Sequence, residues 1–220
     1  MGQKIHPKGF RLGVVFTWNS RWFAGRNFYR LYLLEDTRLR EELGKRLKMA
    51  GLAQVVIERS INKVVVTLLV AKPGMVIGRG GSGLEEIKRF IESYFIKKPV
   101  GKKGEKAQEA KLKVDVTVEP VKEPNLNAFL VASNIADQIA RRLPHKRVCN
   151  QALTRALGAG AKGVRIRLAG RIGGAEIARK EKYQSGTIPL STIREEVDYA
   201  SVPSLTRSGY VGVKVWICKK

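Results

Sequence analysis

Apolar positions along the 220-residue chain follow two periods, one helical and one of strict alternation. Leu39, Leu43 and Leu47 recur every fourth residue behind Asp36 and ahead of Gly51, which predicts a helix with Asp36 as N-cap and Gly51 as stop. Two Val- and Ile-rich runs follow, Gln54 to Arg59 and Lys63 to Val70, parted by Ser60-Ile61-Asn62, and predict a β-hairpin. Past a glycine-rich stretch, Leu84, Ile87, Ile91 and Tyr94 return to helical spacing, with Lys88, Arg89 and Glu92 on the other face. Leu112, Val114, Val116 and Val118 then alternate with Lys113, Asp115 and Thr117, as in a half-buried strand. Residues 36–118 thus read helix, strand, strand, loop and helix, strand.

Residues 119–125 contain Pro120 and Pro124 among polar side chains and read as a linker. Beyond it, Val131, Ile135 and Ile139 form one helical stripe ending at Arg141-Arg142-Leu143-Pro144. A second helix sets Val148, Ala152 and Ala156 against Arg147, Gln151 and Arg155, and stops near Gly158 to Gly163. Val164 to Leu168 alternates and sends Arg165 and Arg167 to the face opposite Val164, Ile166 and Leu168. Arg171 to Gly174 makes a turn, and Ile177 to Gln184 and Tyr210 to Cys218 are strand-like. The expectation for 126–220 is two helices and a mostly antiparallel sheet, and for the whole chain the α+β class.

Charge changes the picture. Lys and Arg number 42 against 19 Asp and Glu, a formal net charge of +23, far beyond the roughly 2 to 8 that keeps a small domain soluble. Such a chain seeks polyanions. The excess is patterned: residues 1–35 form a basic aromatic arm, with Lys4, Lys8, Arg11, Arg21, Arg26 and Arg30 and no acid before Glu35. Phe10, Phe16, Trp18, Trp22, Phe23, Phe28 and Tyr29 are interleaved with them, either capping a core or stacking on RNA. From Arg141 to Lys182 there are twelve basic residues and two acids, which reads as a second polyanion surface. Lys97 to Lys111 reads as a solvated loop. No apolar run approaches the roughly 20 residues that span a bilayer, and the opening lacks a signal-peptide core, so no membrane partner is expected. Cys149 and Cys218 have only His6 and His145 as soft co-ligands, at no metal-site spacing, which predicts reduced, non-catalytic thiols and no metal.

The candidate chemistry is concentrated in Gly78-Arg79-Gly80-Gly81, lying after a strand and before an amphipathic helix. A Gly-x-x-Gly turn lets backbone approach a sugar-phosphate chain, because two positions lack Cβ and the amides at the helix start point outward. Gly78 to Gly83 also satisfies Gly-x-Gly-x-x-Gly. Pro73 to Ile77 separates those glycines from the strand, however, and repeated βαβ units are missing, which argues against a dinucleotide cofactor. His6 and His145 have no Ser or Cys elbow, and the pairs Glu41-Glu42, Glu85-Glu86 and Glu195-Glu196 are sequence neighbours that a helix points apart. Neither an enzyme, a cofactor nor a small-molecule substrate is expected.

Together these residues closely resemble one family, the bacterial-type third protein of the small ribosomal subunit. The resemblance runs nearly end to end: Gly2-Gln3-Lys4-Ile5-His6-Pro7, Arg11-Leu12-Gly13, Trp18-Asn19-Ser20, Trp22-Phe23-Ala24, and Pro73 through Gly81. It continues through Gly160-Ala161-Lys162-Gly163 and Gly170 through Arg179, and closes on Gly212 through Ile217. The resemblance implies a prokaryotic-type (type II) KH domain followed by the family's own α+β domain, in the head of the small subunit. It implies small-subunit rRNA and mRNA as ligands, small-subunit proteins ten and fourteen as neighbours, and a cytoplasmic, ribosome-bound protein, an organellar ribosome being the alternative. The family's basic cluster that faces incoming mRNA and assists its unwinding falls on Lys146 and Arg147, with Arg142 beside them; its third basic position is Asn150 here. For rRNA the expected contacts are Lys72, Gly78, Arg79, Gly80, Gly81, Lys88 and Arg89 in the first domain, and Lys162, Arg165, Arg167 and Arg171 in the second. A free-standing RNA-binding regulator is the rival reading, distinguished by release from small subunits in a high-salt wash.

Overall fold

The computed structural model describes residues 4–96 and 113–219. The charged loop from Lys97 to Lys111 and Leu112, where the alternating pattern begins, lie outside the described residues. The chain divides into two compact units, Trp18–Lys122 and a second made of Met1–Thr17 with Glu123–Lys220. The arm expected over residues 1–35 is therefore not one piece: the division falls at Thr17, and the helix expected from Asp36 begins ten residues earlier.

In the first unit a short strand β1 (Ser20–Arg21) precedes helix α2 (Arg26–Arg46), hairpin strands β2 (Leu52–Arg59) and β3 (Lys63–Val70), helices α3 (Pro73–Ile77) and α4 (Ser82–Ile96), and strand β4 (Lys113–Pro120); α1 (Pro7–Phe10) belongs to the other unit. The sheet order is β1-β2-β3-β4, with β1 and β4 parallel to their neighbours and the hairpin antiparallel. Strict alternation sends Val64, Val66, Leu68 and Val70 of β3 inward. They meet Leu39, Leu43 and Leu47 of α2 and Ile91 and Phe95 of α4 in one apolar core.

Asp36 is no N-cap. It is fully buried within α2, accepts hydrogen bonds from Trp22 Nε1 at 2.7 Å and Arg59 Nε at 3.0 Å, and forms an ion pair with Arg59. Glu35 holds the same guanidinium at 3.0 Å. One carboxylate thereby ties the segment before the helix, the helix and β2 together. The turns preceding it leave Phe28, Tyr29, Leu31, Leu33 and Leu34 exposed, so no one-sided apolar stripe announces their helicity. Between the units, β4 runs on to Pro120 and a 3₁₀ turn occupies Pro124–Leu126, shortening the linker expected over 119–125.

In the second unit, helices α5 (Ala128–Ala140) and α6 (His145–Gly158) precede strands β5 (Gly163–Gly170), β6 (Arg179–Gly186), β7 (Val197–Thr206) and β8 (Gly209–Cys218). The sheet is antiparallel throughout, in the order β6-β5-β8-β7. Asn127 caps α5 by accepting from the Phe129 and Leu130 amides. Val131, Ile135 and Ile139 of α5 and Val148, Leu153 and Ala156 of α6 pack on Val164, Ile166, Leu168, Val213, Val215 and Ile217. Strand β7 has no counterpart in the sequence reading. Its inward positions include the buried polar residues Asp198 and Ser204 and it contains Pro203, which breaks the apolar alternation; as an edge strand it tolerates the proline. Asp198 is satisfied by the Ala128 amide at 2.8 Å and by Lys8 at 2.7 Å, and Ser204 donates to the Ala136 carbonyl at 2.7 Å.

Candidate RNA interface

The glycine turn is framed by two helices. Pro73 opens α3, its ring fixing φ where no amide is needed. The Gly78 amide donates to the Gly74 carbonyl at 3.0 Å and closes that helix in a conformation with φ of 71°. Gly80 and Gly81 follow at φ of 61° and 83°, a region side chains rarely enter, and no atom lies within 4 Å of a Cβ built on either. Ser82 Oγ donates to the Arg79 carbonyl at 3.0 Å where α4 begins. At Gly83 a Cβ would sit 2.6 Å from the Val76 carbonyl oxygen, so α3 and α4 approach through a position only glycine fills. The outcome is an open, exposed backbone turn next to the start of a 15-residue helix, suited to phosphate oxygens. Sequence reasoning missed α3, because Lys72-Pro73-Gly74 reads equally well as a turn.

Not every side chain expected here gathers at the turn. Lys72 immediately precedes α3 and Arg79 stands in the turn, and both are exposed. Lys88 and Arg89 lie roughly 9 and 10 Å further along α4, from the helical rise of 1.5 Å per residue. Arg89 is paired with Glu85 at 3.5 Å, and both are largely exposed. Lys88 acts toward β4: with Lys113 it helps hold the Asp115 carboxyl below its ordinary value, the main cause being the hydrogen bond from Lys63.

In the second unit, Lys162 is bound to Glu195 at 2.6 Å; that hydrogen bond raises the lysine and lowers the carboxyl from their ordinary values. Arg171 caps its own turn by donating to the Ala175 carbonyl at 2.8 Å. Arg165 and Arg167 do project from β5 on the face away from the helices, and Arg165 Nε donates to Gln184 at 3.0 Å. Register adds cations that sequence reasoning did not assign: Lys182 and Lys214 flank Arg167 on the two neighbouring strands. Their signal was the alternation of Lys180, Lys182 and Gln184 with Glu181 and Tyr183, and of Lys214 and Trp216 with Val213, Val215 and Ile217.

Arg142, Lys146, Arg147 and Asn150 are exposed around the start of α6. Arg142 is the sole non-glycine residue with positive φ among those described, at 64°. The first turn of α6 holds no acid, so its two cations oppose the helix dipole. His145 Nε2 lies 3.0 Å from Glu181 Oε2, and Glu181 also accepts from the Tyr183 hydroxyl at 2.6 Å.

Several other candidates are structural. Arg11, one of the arm's cations, is completely buried, and Lys8 and Arg21 are engaged by Asp198 and Glu58. Cys149 and Cys218 are buried free thiols; burial pushes Cys149 up to about 12. Among the described residues no group of three or more His, Cys, Asp and Glu could hold a metal ion, and no helix is long and apolar enough to cross a membrane.

With this geometry, residues 38–126 match the KH domain family and residues 135–217 match the family described as ribosomal protein S3, C-terminal domain. Proteins named small ribosomal subunit protein uS3 align over 219 residues, all of this chain. The one from Carboxydothermus hydrogenoformans is 42% identical with 92% of its own length covered, that from Persephonella marina 44% with 90%, and that from Legionella pneumophila (strain Corby) 43% with 93%. A KH fold followed by a two-helix, four-strand domain, matched end to end at this identity, makes the chain a member of the small ribosomal subunit protein uS3 family.

Proposed function

We propose that the chain is a structural constituent of the small ribosomal subunit that binds its rRNA and carries out no reaction. The observation that carries this reading is the turn from Gly78 to Gly81: exposed, left-handed at three positions, and set against a helix start in a chain of charge +23. Its amides, with Lys72 and Arg79, meet an RNA backbone. Arg165, Arg167 and Arg171 meet a second segment, and Lys162, Lys88 and Arg89 supply weaker contacts because they are shared with carboxylates or displaced from the turn.

The finer reading places the protein in the subunit head, beside small-subunit proteins ten and fourteen, lining the channel through which mRNA enters. Arg142, Lys146 and Arg147 face the incoming message and help to open its hairpins. Two local sacrifices of stability support this role: a left-handed arginine and a first helical turn whose charges oppose the dipole.

The glycine turn is tested by filter binding to small-subunit rRNA fragments. Gly80→Asp with Gly81→Asp adds negative charge, side-chain bulk and backbone strain together, whereas the matching pair of alanines adds a Cβ and strain without charge. A more than tenfold loss for the aspartates and a smaller loss for the alanines is expected. Equal binding by all three proteins would remove the turn from the interface. For the message-facing cluster, Lys146→Ala with Arg147→Ala slows translation through stable hairpins but not through unstructured messages; equal transit times would sink that role.

A further inference from the structure

Strand register builds one face of the C-terminal sheet from residues far apart in sequence. Across the four strands one row reads Gln184, Arg165, Trp216, Tyr199, and the next Lys182, Arg167, Lys214, Ser201; Lys180 extends the β6 edge by a further row. The opposite parity, facing the helices, takes Val164, Ile166, Leu168, Val213 and Val215, and with them Glu181 and Asp198. The strand positions are thereby sorted into an outer face with five cations and no carboxylate and an inner face holding both acids.

Arg167 stands directly between Lys182 and Lys214, a like-charge juxtaposition that destabilises a sheet. None of the three has an ion pair among the described residues. Electrostatics of this kind is retained where an external polyanion relieves it. At the β7 end of the adjoining row, Trp216 and Tyr199 pack with ring centroids 5.1 Å apart at 42°, and His6 meets Tyr199 edge-on at 4.9 Å. Half-buried rings locked against one another lose little freedom when a further ring stacks on them. A protein partner fits poorly, because the centre of a protein interface is depleted of charge whereas this face is cationic at its centre. Duplex RNA fits the cations but hides its base faces.

We infer that the outer face of the C-terminal sheet takes an unpaired RNA segment, with phosphates on Lys182, Arg167 and Lys214 and a base against the Trp216–Tyr199 pair. This rests on the rRNA-binding reading and adds to it the conformation of the RNA and the residues that sense it.

The test is fluorescence anisotropy of the full chain over a salt series, with a dye-labelled uridine-rich oligoribonucleotide that cannot self-pair and an RNA duplex of equal length. Trp216→Leu weakens the unpaired probe about tenfold, within the range for one stacked base, and leaves the salt slope and the duplex affinity in place; Trp216→Phe restores most of the loss. Lys182→Gln, Arg167→Gln and Lys214→Gln together flatten the slope for the unpaired probe by about 2, from roughly 0.7 per phosphate contact. These three are surface changes, so they carry the test even if Trp216→Leu unfolds the domain. Parental slope and affinity in the triple variant overturn the inference, as does equal weakening of both probes by a Trp216→Leu chain that keeps the parent's melting temperature. A parent chain that binds neither probe overturns the rRNA-binding reading itself.

Discussion

Arg11 illustrates how far charge counting alone can mislead at the scale of a residue. Counted with the arm's cations, it is in fact wholly buried, with Nε donating to the Glu195 carbonyl at 2.7 Å and the terminal nitrogens to Pro7, Pro189, Leu190 and Thr192. A planar fork of five donors can satisfy so many carbonyls; a lysine cannot. Arg11→Met leaves those acceptors without their donor and costs about 3 kcal/mol or more, read as a lower denaturation midpoint. Arg142 is the converse, a residue whose backbone conformation suits another amino acid. Arg142→Gly relieves the left-handed strain, stabilising the domain by up to about 1 kcal/mol, while slowing translation through hairpins if the side chain meets the message. A variant that is more stable and less able to open hairpins separates the two roles, which alanine cannot do.

Among the elements, legibility in the sequence followed the regularity of burial. Strand β3 and the second half of α2 alternate or repeat cleanly, and so does β5 with its outward arginines, because each meets an apolar core on one side only. Asp36 reads as an N-cap because an acid ahead of a leucine stripe is the usual sign of a helix start; only the tertiary partners Trp22 and Arg59 show that it belongs inside. The two-residue β1 has too few positions to show a period, and β7 hides polar groups that α5 and Lys8 satisfy. The glycine turn was legible residue by residue, whereas the cationic face of the C-terminal sheet was not: Lys182 and Lys214 join Arg167 only through register.

The contact between α6 and β6 also carries a pH dependence. The hydrogen bond from Tyr183, aided by the charges of His145 and Arg179, lowers the Glu181 carboxyl below its ordinary 4.5. A depressed folded value stabilises at pH above 4.5 and is lost as pH falls through that lower value. Tyr183→Phe should therefore lower the melting temperature at pH 7, with the gap from the parent narrowing below about pH 4.5. A gap constant from pH 7 to 3 would show that the hydroxyl acts only by packing.

For the molecule as a whole, +23 is not spread evenly. Carboxylates are drawn to structural pairs, with Glu35 and Asp36 on Arg59, Asp198 on Lys8, and Glu195 on Lys162, leaving cations in excess at the outer sheet face and the start of α6. Affinity for rRNA should fall steeply with added salt, by a logarithmic slope of roughly 0.7 per single-stranded phosphate contacted. Titration from low to high ionic strength checks it, and a slope near zero would mean that these cations serve solubility alone.

Arg11 and the carbonyls that receive it are 178 to 184 residues apart, excepting Pro7, with the entire KH unit lying between. Vectorial synthesis therefore delivers the guanidinium early and its acceptors near the finish. The intervening unit can complete its own core while the opening segment waits as an undocked leader; the later unit recruits that leader only when the stretch through Glu195 has left the exit tunnel. Stalling just short of that point should yield a nascent chain with a protease-resistant middle and cleavable ends.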